Sequence, residues 1–220
     1  MNSIINRLLH SDEPSVRFKI LLSVLGHDVA SAEIKQLQQE IKSSPRVARL
    51  LAEREPSGHI PFHPYAKWYG AHWVLAVLAD LGYPPGDAAL IPLRERVYAW
   101  LLAKSHEQRI KCINGRVRRC ASQEGNALYY LLALGLGDPR TDQLAERLIQ
   151  WQWPDGGWNC DKNPQASHSS FMESLIPLRG LALYGRLTGH PAARQTAERA
   201  AEIFLKRRLF KRQRNGQVIS

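Results

Sequence analysis

Apolar residues recur at intervals of three and four through most of this chain. The run Trp73-Val74-Leu75-Ala76-Val77-Leu78-Ala79-Asp80-Leu81 shows it most clearly, and the same spacing holds over 97–102, 128–134, 144–151 and 175–187. That period places the apolar side chains on one face of a helix, whereas a half-buried strand would alternate every second residue. Alternation flanked by hairpin turns is almost absent, so the pattern predicts an all-α protein. The helix ends are marked as well: Gly26, Gly82, Gly137 and Gly189 each follow an apolar helix, and Pro84, Pro139 and Pro191 come shortly after three of them. A left-handed glycine cap followed by a residue that cannot continue the helix is the expected stop signal.

Those four glycines recur at separations of 56, 55 and 52 residues, in LGHD, LGYPP, LGDP and TGHP, each between two amphipathic segments. This spacing predicts an internal repeat of about four αα-hairpins. A single hairpin cannot bury its apolar face alone and must stack on its copies. Stacking of this kind gives either an open solenoid or a closed ring with one helix of each pair inside, and the period alone does not choose.

The loop after the third repeat adds a signature. Gln150-Trp151-Gln152-Trp153-Pro154-Asp155-Gly156-Gly157-Trp158 resembles the repeat of the terpenoid-cyclase and protein-prenyltransferase superfamily, in which a Gln, then Asp-Gly-Gly, then Trp or Phe closes each hairpin. The competing reading is a DGG turn with a core Trp after it. Further segments are similar to squalene-cyclase-like and prenyltransferase-like proteins: Cys120 to Asn126 heading a helix, Leu134 to Arg140 ending it, DGGWNC at 155–160, His168-Ser169-Ser170-Phe171, Lys67-Trp68 and 204–210. The likeness spans roughly 4–219 and implies an α/α-toroid. Four hairpins are fewer than such a toroid uses, which leaves an incomplete or open ring, a homo-oligomer completing the ring, or a truncated chain as the expectations. The resemblance also implies an apolar, isoprenoid-like ligand in a central cavity. The Asp-x-Asp-Asp acid of class II cyclases and the Asp-Asp-x-x-Asp magnesium cluster of class I chemistry are both missing from the sequence. Cyclase activity therefore does not carry over. Asp155 is the weak catalytic candidate, against the simpler reading that its carboxylate caps turn amides.

Zinc is the stronger chemical expectation. Cys120 heads one helix, Cys160 lies in the loop before the next, and His168 follows eight residues later, so adjacent hairpins could bring all three to one end of the fold. Two thiolates and an imidazole suit zinc and leave an open coordination position, with Asp161 or Cys112 as a fourth ligand. The resemblance implies the same kind of site, since protein prenyltransferases bind one zinc near the corresponding mouth and use it to activate a thiol. Inert core cysteines are the alternative. In HIPFHPYAKWYGAHW, the side chains of Trp68, Tyr69, His72 and Trp73 are candidates for a cavity wall together with Trp158; ordinary inter-helix core is the other reading.

The composition fits one domain, 1–220, with a basic C-terminal segment at 206–220: 220 residues are 44% apolar and 23% charged, with three cysteines, too few for an all-paired disulfide framework. No 18-residue apolar run and no signal-peptide order are present, so a cytoplasmic protein without a transmembrane segment is expected. The net charge is +10, but it is unevenly placed. The segment 109–119 holds five cations and 206–214 six, with no acids in either, leaving 19 cations against 20 acids elsewhere. Arg116, Arg118 and Arg119, just before Cys120, are the candidate site for an anionic group. The second segment, including Arg214, is read as a solvated helix end. Nucleic-acid binding is not expected, because neither segment carries interleaved aromatics or a known fold motif.

Overall fold

The computed structural model describes residues 3–212 and 215–218, and the structure is mostly helical with one small two-stranded sheet. Arg214 lies outside the described residues. The chain divides into two compact units, one running through Val97 and including Ala133–Leu136, the other comprising Tyr98–Leu132 and the chain from Gly137 onward. No helix among the described residues is long and apolar enough to cross a membrane.

In the first unit, α1 (Ser3–Leu9) and α2 (Pro14–Lys19) lead into a π-helical turn at Ile20–Val24. Then come α3 (Ala32–Lys42), α4 (Pro45–Leu50) and α5 (Ala71–Leu81). The starts of α3 and α4 are set by Ser31 and Ser44, whose hydroxyls accept from the amides of Ile34 and Val47. The apolar helix α5 buries Val74, Leu75 and Leu78 and stops at Gly82, which is left-handed at φ 87°. After a 3₁₀ turn at Ala88–Leu90, α6 (Ile91–Leu101) carries the chain across the boundary between the units.

The second unit continues with α7 (Lys104–Glu107), a hairpin of β1 (Lys111–Ile113) and β2 (Arg116–Arg118), then α8 (Ser122–Ala133), α9 (Arg140–Trp151), α10 (Phe171–Thr188) and α11 (Pro191–Lys206). The hairpin is a departure from the all-helical expectation. Asn114 and Gly115 both take positive φ, 52° and 69°, the pattern of a two-residue hairpin turn, and Cys112 stands opposite Val117. A second departure concerns the end of α8, where the left-handed residue is Gly135 (φ 61°) rather than Gly137.

Two glycines let α8 and α10 meet backbone to backbone. A Cβ on Gly125 would sit 2.6 Å from the Cα of Pro177, and one on Gly180 would sit 2.6 Å from the carbonyl oxygen of Gly125. No side chain fits between the two backbones at these glycines. Around that seam the core gathers Leu128, Leu148, Trp151, Trp158, Leu181 and Tyr184, closed on the α11 side by Ala193, Ala197 and Ala200. The small residues of α11 permit its close approach to α10.

Candidate functional site

The loop signature is a set of hydrogen bonds that fastens the end of α9 to α11. The Gln152 side-chain amide donates to the carbonyls of Gly156 and Thr196, at 2.7 and 2.8 Å. Gly156, at φ 102°, faces the backbone of Arg199, and a Cβ there would fall 2.7 Å from that carbonyl oxygen. Asp155 accepts from both the amide and the hydroxyl of Ser169, at 2.7 and 2.6 Å, so its two oxygens bind the start of the next segment. Trp158, expected in a cavity wall, is instead 1% exposed within the core, and its indole N–H donates to the Leu148 carbonyl at 2.9 Å.

Past the turn, the chain is drawn to the hairpin. Arg118 and Asn159 form a parallel bridge, and Asn159 donates from its side chain to the His168 carbonyl at 2.8 Å, folding the loop back on itself. Cys160 follows Asn159 directly, and Cys120 lies two residues beyond Arg118. The bridge therefore sets the two cysteines side by side. Glu173, in the first turn of α10, completes the group: one oxygen accepts from the Ser122 amide at 3.0 Å and the other from the Cys160 thiol at 3.7 Å. The sulfurs of Cys120 and Cys160 and a carboxylate oxygen of Glu173 lie within 4.8 Å of one another, all three residues half-buried.

Burial and the neighbouring Glu173 charge disfavour the thiolate forms here. Burial first, then the neighbouring Cys120 and the Glu173 charge, push the Cys160 thiol up to about 12. Burial likewise raises Cys120, with the hydrogen bond from Cys160 opposing the rise. A thiol held as high as that of Cys160 is a poor nucleophile near neutral pH. Two thiols and a carboxylate on one point are instead the donor set that a borderline-soft divalent cation binds, three ligands of the four that a tetrahedral ion takes.

Beside the cluster, Glu124 is fully buried. Its Oε1 lies 3.1 Å from His106 Nε2 and 3.2 Å from Arg119 Nη2, while Oε2 has no hydrogen-bond partner among the described residues. The three arginines expected to receive an anion are largely engaged elsewhere. Arg119 is paired with Glu124, and Arg118, 3% exposed, donates to the carbonyls of Asp161 and Ala166 with its guanidinium 4.4 Å from the Trp153 ring. Arg116 lies over the same ring at 5.7 Å.

Of the expected zinc ligands, the structure gathers Cys120 and Cys160. His168 is exposed in the loop and is not one of the three clustered residues, whose third place is taken by Glu173. Asp161 accepts from the Asn163 amide, and Cys112 is exposed on β1. In the first unit, His72 is 1% exposed, Trp73 donates to the Tyr65 carbonyl at 3.3 Å, and Trp68 and Tyr69 are largely exposed. Glu173 is hard to single out from sequence because an acid in the first turn of a helix is the ordinary answer to the helix dipole. The one signal available is its place in the helix that His168 precedes. Compared with family models, with curated proteins and with solved structures, the chain matches none.

Proposed function

We propose that this chain is a prenyltransferase-like helical-repeat protein that holds one zinc ion through Cys120, Cys160 and Glu173 and serves transfer chemistry on an apolar, isoprenoid-like substrate. The observation that carries the reading is the convergence of two sulfurs and a carboxylate oxygen within 4.8 Å at the adjoining heads of α8 and α10. The residues fit the ion in type, number and burial. Zinc bound there would act as a Lewis acid, lowering the pKa of a thiol or water at the open position. The toroid-type arrangement belongs to the same proposal. It is supported by the glycine-mediated contact of α8 with α10 and by the order of helix pairs about Gly26, Gly82 and Gly189, all three left-handed.

A second reading, a non-catalytic scaffold for a protein or polyanion, draws on the exposed aromatic group Phe62, Trp68 and Tyr69 in the first unit. One experiment separates the two. The purified chain, stripped with a chelator and returned to zinc, should retain about one equivalent and gain thermal stability. Cobalt in its place should give a thiolate-to-metal charge-transfer band. Cys120→Ser with Cys160→Ser should abolish the band, and Glu173→Gln, which keeps the acceptor for Ser122, should weaken retention. Failure of the intact protein to retain zinc, or retention unchanged in the double variant, rejects the metal-dependent reading.

A further inference from the structure

The cations at the end of α11 do not simply answer the helix dipole. The C-terminus of a helix carries about half a negative charge, which one nearby cation suffices to meet. Here Arg199, Lys206, Arg207, Lys211 and Arg212 all line one cleft of 440 Å³, closed on its other side by Pro154, Asp155 and Gly156. Two acids share it. Glu202 is 3.7 Å from Lys206, and Asp155 has both oxygens engaged by Ser169. The cleft therefore keeps a surplus of positive charge.

Its geometry is built rather than incidental. Arg207 is half-buried with its guanidinium carbon 3.8 Å from the centre of the Phe171 ring, which in turn stacks on Phe204 at 5.0 Å. Its Nε donates to the Lys211 carbonyl at 3.1 Å, and Nη1 reaches the Ser169 carbonyl at 3.4 Å. A guanidinium fixed on an aromatic face loses little side-chain entropy when it binds an anion. The segment beyond it folds back, with Lys211 bridged to Val218 and the Arg212 amide donating to Gln217. That fold brings Lys211 and Arg212 to the same opening. On the opposite wall, the close contact of Gly156 with the Arg199 carbonyl locks the turn to α11.

We propose that this cleft is a binding site for a phosphate or diphosphate group. The group enters between the Asp155–Gly156 turn and the end of α11, is held by Arg207 and Lys211, and meets Arg199 and Arg212 at the rim. The buried Ile203 and the exposed Pro154 give the cleft an apolar side against which the rest of the ligand rests. The site is separate from the Cys120, Cys160 and Glu173 cluster and does not depend on zinc.

The test uses the full chain with inorganic diphosphate as a soluble probe, followed by calorimetry, and vesicles containing phosphatidic acid as the membrane-borne source of the same group. Saturable binding of diphosphate that weakens about tenfold in Arg199→Glu with Lys211→Glu, and not in the exposed control Arg109→Glu, is the expected result. Binding to vesicles alone, lost in the same double variant, assigns the phosphate to a lipid headgroup. Binding to neither probe, or equal loss in the control, overturns the proposal. Arg207→Lys keeps the charge but loses the planar stack and the fork, so it should weaken diphosphate binding while leaving the helical circular dichroism unchanged; full affinity in that variant would remove Arg207 from the site.

Discussion

Two tryptophan-bearing segments, 65–73 and 151–158, look alike as sequence and behave differently as structure. In the second, every indole is at most 8% exposed, and Trp153 and Trp158 each give the ring N–H to a carbonyl, of Val117 and Leu148. In the first, Trp68 is 66% exposed and meets Trp73 edge to face at 4.5 Å, while of the rings only that of His72 is fully enclosed. An aromatic ring holds a fold together when both its apolar surface and its polar handle are satisfied inside. The tryptophans of 151–158 meet that condition, and Trp68 does not.

The largest expected effect is therefore at Trp158. Replacing it by Ala removes a core side chain between α9 and α10 and leaves the Leu148 carbonyl without its donor, so Trp158→Ala should cost about 3–5 kcal/mol in a denaturant titration. A loss below about 1 kcal/mol would place the stability of the second unit elsewhere.

How much of this could be read from the sequence depends on the length of the signal. Helix α5 shows its period over eleven residues and ends at a glycine, and both were legible. The strands of the hairpin are three residues each, too short for alternation to register, although Asn114-Gly115 marked the turn. In Leu134-Gly135-Leu136-Gly137 either glycine could serve as a stop by sequence, and the left-handed one is the first. At the candidate site, the approach of Cys120 and Cys160 followed from their places at neighbouring helix heads. The substitution of Glu173 for His168 did not, because α10 begins at Phe171 and leaves His168 in the loop. The engagement of Arg119 by Glu124 was hidden for another reason: an acid in the first turn of a helix reads as solvent-facing until its burial is known.

The next effect tests the one enclosed group of the first segment. Burial holds His72 neutral, with its pKa down at about 3 against an ordinary 6.5, between the rings of Tyr65 at 5.6 Å and Trp73 at 5.1 Å. The unfolded chain takes up this proton below pH 6.5 and the folded chain does not, so stability is full above pH 6.5 and falls as the pH drops toward 3. The slope is about 1.4 kcal/mol per pH unit, giving a loss of about 2 kcal/mol by pH 5 from this residue. Unfolding free energies of the wild type and His72→Phe, compared from pH 7.5 to 5, should diverge by that amount. Parallel curves would mean that His72 is solvated in the folded state.

The smallest effect completes the contrast. Trp68 is mostly in water, and its neighbours Trp73 and Lys67 retain other partners, Trp73 with Tyr65 and Lys67 over the Tyr65 ring at 5.7 Å. Trp68→Ala should shift stability by no more than about 0.5 kcal/mol, since the substitution removes an edge-to-face ring pair, an exposed contact with the Lys67 ammonium at 5.4 Å and little buried area. Melting of this variant beside Trp158→Ala compares the two segments directly. A loss at Trp68 approaching that at Trp158 would show that the exposed indole is covered in solution, and the exposed group of Phe62, Trp68 and Tyr69 would then have to be treated as an interface whose stability depends on protein concentration.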